Sequence, residues 1–176
     1  MDLGYIRSHV DESVRSRRTG DELTLLSTYT DNITGTSTSI AGATEVKREL
    51  KEKYKLKDGR ELNYMLGIKV EWDRENRTIS ISQSVYIACI LKCFRHEDCT
   101  PASTPLPLGM KISDLNSPDN DAKRQEMLRL PFHELLGSLM YLYIGTCPDL
   151  SFAIQYLSRY QANPGCTHWE AGLHVQ

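Results

Sequence analysis

The sequence contains no long hydrophobic run. No stretch of the 176-residue chain approaches the roughly 20 apolar residues that a membrane-spanning helix needs. The first residues, Met1 to Tyr5, also lack the basic and apolar segments that together mark a secretion signal. We therefore expect an intracellular protein, in the cytoplasm or nucleus, without a membrane partner.

The sequence also has little net charge. The chain has 21 Lys and Arg residues and 23 Asp and Glu residues, which gives a formal net charge of -2. A free-standing domain that binds nucleic acid usually has a clear basic excess, so any such contact should be local or belong to a larger protein. Hydrophobic residues make up 40% of the chain, which is ordinary for a globular protein and argues against disorder.

The cysteines form no recognisable framework. There are five, with no pair at CxxC spacing, and an odd number argues against a set of disulfides. Cys89 and Cys93 lie four residues apart on a predicted helix and could supply half a zinc site. No His or Cys pair at ligand spacing completes that site, so buried thiols are the favoured interpretation.

The first strong pattern predicts a β-hairpin followed by a helix. Residues 23–29 are rich in β-formers and end near Asp31-Asn32, a turn-favouring pair, after which residues 33–36 can return antiparallel. Asp31 should therefore lie at the tip. From Ser39 onward, apolar residues recur at helical spacing up to a stop at Asp58-Gly59. The predicted inward residues are Ile40, Ala43, Val46, Leu50 and Tyr54. The opposite face is basic, which favours a solvated surface over one that contacts phosphates.

A second hairpin is predicted from residue 62 to residue 82. Residues 62–72 look extended, residues 73–76 form a turn, and residues 78–82 alternate with a period of two. Gly67 would lie inside the first strand, where a glycine often marks a bulge or the close approach of another backbone. Residues 83–94 then read as a helix, with Val85, Ile87, Ala88, Ile90 and Leu91 facing inward.

Helices dominate the rest of the chain. Four prolines between residues 98 and 120 predict an irregular crossover, which is followed by a polar stretch over residues 122–128. An apolar helix should begin near Pro131, and a second at residue 146, with Thr146 as its cap. A capping-box pattern at residues 167–170 predicts the start of a final helix. The expected inward residues are Phe132, Leu135, Leu136, Leu139, Met140, Tyr143, Phe152, Ile154, Leu157 and Tyr160.

Many short segments resemble, in the same order, the palm and thumb of copia-type LTR retrotransposon reverse transcriptases. Tyr29-Thr30-Asp31-Asn32 resembles their YVDD box, residues 62–68 their "FLGI" strand, and residues 79–87 their "ISQ..Y" segment. The other similar segments are residues 7–8, 11–14, 45–53, 103–106, 137–142, 148–153 and 168–169. The resemblance covers roughly residues 20 to 170, and so many motifs in the family's order are highly specific.

The resemblance implies an α+β fold and an RNA-directed DNA polymerase. Residues 1–82 would form a partial palm of antiparallel hairpins with a packing helix, and residues 83–97 a thumb-like helix. After the crossover at residues 98–120, residues 121–176 would form a helical thumb and connection region that ends before ribonuclease H. The implied partners are an RNA or DNA template-primer, a deoxynucleoside triphosphate and the remainder of the Pol polyprotein. The implied cofactor is Mg²⁺ or Mn²⁺.

Residue roles carry over from the matching motifs. Asp31 would be a catalytic metal ligand, with Asn32 beside it in the box. Tyr29 and Thr30 would lie near the nucleotide and the primer end. Leu66 and Gly67 would belong to the hairpin that grips the primer. Weaker candidates for contacts with the nucleic-acid backbone are Lys47, Lys51 and Lys55.

Three departures from the family pattern predict a defective enzyme. Asn32 replaces the second Asp of the box, so a neutral amide stands where an anionic ligand is expected. Nothing before Leu23 supplies the family's upstream Asp strand, and Cys147 stands where Arg is usual. A polymerase fragment that is inactive alone is the first hypothesis. A non-catalytic nucleic-acid-binding or protein-binding module is the alternative, and an unrelated α+β scaffold is a distant third.

Overall fold

The structure is a computed structural model that describes residues 3–59, 61–107 and 109–176. The chain divides into two compact units, residues 1–62 and residues 63–176, each with its own antiparallel sheet. Helices accompany both sheets, so the predicted α+β class is confirmed. The predicted boundary at residue 82 and the palm and thumb labels remain predictions.

The first unit is a four-stranded sheet covered on one face by a helix. Its strands are antiparallel and follow the order of the sequence. They are β1 (Ile6–Arg7), β2 (Val14–Thr19), β3 (Glu22–Tyr29) and β4 (Asn32–Ser37). Helix α1 (Ile40–Lys53) places Val46 and Leu50 against Leu26 of β3, and these three side chains form a small core. The predicted hairpin over residues 23–36 is therefore confirmed.

Helix α1 differs from its prediction at both ends. Ile40 is 85% exposed, because the inward position of the first turn belongs to Gly42, where the Glu22 carboxylate comes so close that a Cβ would lie 1.6 Å from its oxygen. The helix stops at Lys53 rather than at residue 58. Tyr54 has extended backbone angles and packs against the core. Local spacing alone does not reveal these tertiary contacts.

The second unit begins with a three-stranded sheet. Its strands are β5 (Tyr64–Met65), β6 (Ile68–Asp73) and β7 (Thr78–Ser82), which pair in sequence order. The prediction that Gly67 lies inside a strand was wrong, because Leu66 and Gly67 form a tight turn between β5 and β6. Both have positive φ, 52° and 74°, as a two-residue type I′ hairpin turn requires. Leucine rarely adopts such angles. The apolar residues up to Leu66 therefore predicted a continuous strand instead of a turn.

Among the described residues, five α-helices complete the second unit. They are α2 (Ser84–Cys93), α3 (Asp121–Met127), α4 (Phe132–Gly145), α5 (Ser151–Ser158) and α6 (Cys166–His174). The predicted apolar helix is α4, whose residues Leu135, Leu136 and Leu139 have no exposed surface. Ile154 and Leu157 of α5 and Ala171 of α6 pack around it. Within the three described ranges, no helix has both the length and the apolar character to cross a membrane.

Several side chains predicted to be buried are exposed. Val85 is 55% exposed and Phe152 is 72% exposed, and Ala88 is also exposed. Helix α2 buries only a narrow stripe centred on Ile90, so residues at its margins face solvent. Phe152 stacks on Tyr156 at the surface, with 5.9 Å between ring centroids. The two thiols expected inside, Cys89 and Cys93, are exposed as well.

Two predicted helix starts were also wrong in detail. Thr146 does not cap a helix, because its hydroxyl bonds to the side chain of Gln83, and a short 3-10 turn over Pro148–Leu150 comes before α5. Helix α6 begins at Cys166, and the backbone N–H of Gly165 donates to Nδ1 of His168 over 2.8 Å. Thr146 is thus engaged by a residue distant in sequence, whereas α6 has a local cap made by residues other than the predicted ones.

Candidate active site

The Tyr29–Asn32 segment forms a tight hairpin at one end of the first sheet. Tyr29 pairs with Asn32, so Thr30 and Asp31 alone make the turn, and Asp31 lies at the tip as the sequence predicts. Thr30 has a φ of 50°, which is rare for a β-branched residue. Such a conformation costs on the order of 1–3 kcal/mol and persists only where neighbouring structure imposes it. Here the paired strands β3 and β4 impose it.

The tip exposes its polar groups to solvent. Tyr29 is 54% exposed, and Asp31 and Asn32 are also exposed. A two-metal polymerase site needs several carboxylates around hard cations. In the described ranges, no group of three or more His, Cys, Asp or Glu side chains could hold a metal ion. Because Asp31 has the neutral amide of Asn32 beside it, these residues do not fit such a site.

One face of the first sheet is left open by α1. Residues directly opposite each other in paired strands point to the same face, so the register assigns every side chain. Thr24 and Leu26 face α1, and Tyr29 faces the open side. The other side chains on the open face are Ile6, Val14, Ser16, Arg18, Leu23, Leu25, Ser27, Asn32, Thr34 and Thr36. Among the described strand residues, this face carries one cation, Arg18, and no carboxylate.

The basic surface of α1 is largely neutralised by its own neighbours. Lys47 and Lys51 both pair with Asp58, at 3.3 Å and 3.1 Å. Arg48 pairs with Glu45 and Glu52. Lys55 is exposed in the segment that follows the helix. These contacts reduce the local positive charge that the sequence shows around residues 45–60.

The Leu66–Gly67 turn is fixed to helix α4. The Tyr141 hydroxyl donates to the backbone carbonyl of Leu66, and the ring of Tyr86 meets that of Tyr141 edge to face at 5.0 Å. A Cβ at Gly67 would meet Tyr141 at an ordinary contact distance of 3.8 Å. The turn therefore needs a glycine for its positive φ rather than for space. Leu66 itself is 45% exposed.

A buried glutamine in the same unit was not among the site residues predicted from the sequence. Gln83 is 1% exposed. Its Oε1 accepts from the Thr146 hydroxyl at 2.8 Å, and its Nε2 donates to the Tyr141 carbonyl at 3.4 Å. Gln83 and Tyr86 both lie in the "ISQ..Y" segment. The sequence therefore showed the motif, but it did not predict the contacts that these two side chains make. That segment joins the second sheet to α4.

The Tyr29–Asn32 hairpin and the Leu66–Gly67 hairpin belong to different compact units. Asp31 and Tyr29 lie in the first unit, and Leu66 and Gly67 lie in the second. Lys47, Lys51 and Lys55 accompany the first hairpin. Each hairpin is well defined within its own unit. The functional roles assigned to all of these residues remain predictions.

Comparisons with known proteins identify the family. The family described as "Reverse transcriptase (RNA-dependent DNA polymerase)" matches residues 1–107. The Pol polyprotein of transposon TNT 1-94 from Nicotiana tabacum is 30% identical over 95% of this chain, which spans 13% of that relative. The Pol polyprotein of transposon RE1 from Arabidopsis thaliana is 28% identical over 97% of the chain, which spans 11% of it.

A shorter relative is also similar. An uncharacterised mitochondrial protein of Arabidopsis thaliana, AtMg00810, is 31% identical over 77% of this chain, and the match covers 52% of its length. No solved structure matches. The family match covers more than half of the chain, and both Pol polyproteins align with nearly all of it. The chain therefore belongs to the reverse transcriptase family, among the copia-type retrotransposon Pol polyproteins.

Proposed function

We propose that this chain is the part of an RNA-directed DNA polymerase that carries its active-site hairpin and its primer-side hairpin, and that it does not polymerise alone. The observation that carries the proposal is the hairpin tip, where Asp31 is followed by Asn32 instead of a second carboxylate. Polymerases of this family use divalent metal ions, which bring the attacking hydroxyl and the triphosphate together.

The roles proposed for single residues follow the family motifs. Asp31 keeps the position of a ligand to Mg²⁺ or Mn²⁺, although the side chains around it do not complete a site. Tyr29 and Thr30 would lie beside the incoming nucleotide and the primer end. Leu66 and Gly67 would contact the primer strand, supported by Tyr141. The partners would be an RNA or DNA template-primer, a deoxynucleoside triphosphate and the rest of the Pol polyprotein.

The loss of one carboxylate has a direct electrostatic consequence. An amide oxygen can ligate Mg²⁺, but it carries no net charge to offset the two positive charges of the ion. Two cations held close together need several anionic ligands, since their mutual repulsion must be balanced. With Asn32 beside Asp31, the tip offers one negative charge. We therefore expect no metal-dependent extension.

Primer extension tests this proposal. The purified chain is given a primed RNA template, all four nucleotides and Mg²⁺ or Mn²⁺, with an active reverse transcriptase as the positive control. Asp31→Asn is the matched variant, since it removes the remaining carboxylate at nearly constant shape. We expect the two proteins to give the same background. Extension by the unaltered chain that Asp31→Asn abolishes would contradict the proposal.

The second candidate is a non-catalytic module that binds nucleic acid, and the open face of the first sheet favours it. That face has an exposed aromatic ring at Tyr29, a cation at Arg18 and several hydroxyls, and its described strand residues include no carboxylate to repel phosphates. Aromatic rings on an open sheet can stack with bases, and a cation can contact the backbone. The lysines of α1 support this candidate less well, because Lys47 and Lys51 are paired with Asp58.

Template-primer binding at low and at physiological salt tests the second candidate. Affinity that falls as salt rises would indicate phosphate contacts. Arg18→Ala should weaken binding, whereas Arg48→Ala removes a cation from the helix surface and serves as the control. Absence of binding at low salt would eliminate this candidate. A larger effect of Lys51→Ala than of Arg18→Ala would move the binding surface to α1.

A further inference from the structure

The outer edge of β7 is open. β7 (Thr78–Ser82) ends the order β5, β6, β7, and within the described residues it pairs with β6 alone. Four of its five residues are exposed. An edge strand presents a row of backbone donors and acceptors that another strand can pair with. The opposite edge of the sheet is much shorter, since β5 has two residues.

β7 lacks the features that usually protect an edge. Proteins place lysine, proline or a bulge on such strands, or point a charge inward, so that other chains do not add to them. Residues 78–82 read Thr-Ile-Ser-Ile-Ser and contain neither a charge nor a proline. Their pairing with β6 is continuous from Thr78 to Ser82, without a bulge. The edge is regularly paired, uncharged and rich in β-branched residues.

One face of this strand is also apolar and exposed. Ile79 and Ile81 are 57% and 54% exposed, and they lie opposite Trp72 and Val70 of β6 on the same face. Trp72 is 39% exposed. An apolar stripe that reaches an unprotected edge can be extended by a partner strand with the same alternation of side chains.

The strand is complementary to a second copy of itself. Its sequence has an approximate two-fold symmetry about Ser80, with Ile79 and Ile81 on either side and the hydroxyl residues Thr78 and Ser82 at the ends. An antiparallel pairing centred on Ser80 would place Ile79 opposite Ile81 of the second copy. Every apolar residue would then meet an apolar residue, and every hydroxyl a hydroxyl. This is the self-complementarity that a two-fold symmetric interface requires.

We propose that two copies of this chain associate through β7, pairing antiparallel about Ser80 to form one continuous six-stranded sheet. The backbone groups of Ile79 and Ile81 point away from β6, because the N–H of Val70 donates to Asn63 on the β5 side and the ladder alternates. The pairing would therefore add about four backbone hydrogen bonds. It would also join the two isoleucine pairs into one apolar stripe. Because five residues form a small interface, the dimer should be reversible and depend on concentration.

Sedimentation equilibrium over a wide range of protein concentration tests the association. The unaltered chain should shift from monomer to dimer as concentration rises. Ile79→Lys should abolish the shift by placing a charge on the apolar stripe. Ile81→Pro should also abolish it, because it removes a backbone donor that points away from β6. Val10→Lys is the control, because Val10 is 98% exposed on the first unit. Circular dichroism establishes that each variant remains folded.

Disulfide trapping tests the register. In a background where Cys89, Cys93 and Cys166 are serine, mild oxidation should link two Ser80→Cys chains, because Ser80 would face its own copy. Thr78→Cys chains should not link, since Thr78 would face residue 82. A chain that stays monomeric at every concentration would overturn the proposal. So would a dimer that Ile79→Lys leaves intact, or equal linking by both cysteine variants.

Discussion

The ring of His168 lies flat on the ring of Tyr160, with 4.2 Å between their centroids and 15° between their planes. His168 has no exposed surface, and its Nδ1 accepts the Gly165 N–H at the start of α6. The Tyr160 hydroxyl in turn donates to the carbonyl of Ile112 in the crossover. The pair therefore connects the turn after α5, helix α6 and the crossover.

This relationship predicts that the second unit loses stability in mild acid. Burial lowers the pKa of His168 below its usual value of 6.5, and the Ser113 backbone and Asp114 offset only part of that effect. The unfolded chain therefore takes up a proton before the folded chain does, so stability should fall as pH drops below about 6.5. Protonation at Nδ1 would also break the bond from Gly165.

Urea unfolding between pH 8 and pH 5 checks this prediction. His168→Gln cannot titrate, so its free energy of unfolding should vary less over this window, although it starts lower because the stacked ring is lost. His133→Gln, which removes an exposed histidine from α4, should keep the full pH dependence. An unchanged pH dependence in His168→Gln would contradict the role assigned to the buried ring.

The bond between Thr146 and Gln83 predicts a difference between two conservative variants. Thr146→Val removes the hydroxyl that donates to Gln83 Oε1 and leaves a buried acceptor unsatisfied. Such a loss costs about 1–3 kcal/mol. Thr146→Ser keeps the hydroxyl and should lose much less. Chemical unfolding measures the free energy of unfolding of both variants. Equal decreases in the two variants would show that this hydrogen bond does not contribute to stability.

Two glycines in α4 should respond to alanine in opposite directions. A Cβ at Gly145 would lie 2.3 Å from Gln83 Oε1, whereas a Cβ at Gly137 would meet nothing within 4 Å. Gly137→Ala should therefore stabilise the protein by about 0.5–1 kcal/mol through helix propensity. Gly145→Ala should destabilise it by displacing Gln83. Thermal unfolding measures both, and a stabilising Gly145→Ala would show that Gln83 has room to move.

Local patterns were sufficient to predict some elements. The hairpin with Asp31 at its tip was predictable because β-formers flank a turn-favouring pair, and α4 because its apolar residues recur at helical spacing. β2 carries arginines in place of an apolar alternation, so it becomes a strand through its pairing with β3. A sequence pattern does not report that pairing.

The candidate site was predictable to a similar degree. The order of the motifs pointed to Asp31, Asn32 and the Leu66–Gly67 pair as candidate residues. It did not predict which contacts hold the Leu66–Gly67 turn in place. Leu66 has an unfavourable φ for its residue type, and the bond from Tyr141, 75 residues away in sequence, secures the turn. Gln83 likewise depends on Thr146, 63 residues distant. Contacts between residues so far apart in sequence cannot be predicted from the spacing of neighbouring residues.

We propose that the hairpin of residues 22–37 is a polymerase box that Asn32 inactivates. The most direct measurement is Mg²⁺-dependent primer extension by a complete, active polymerase of this family whose own hairpin has been replaced by residues 22–37 of this chain. We predict no extension with the hairpin unaltered and recovered extension with Asn32→Asp. Equal extension with and without Asn32→Asp would contradict the claim.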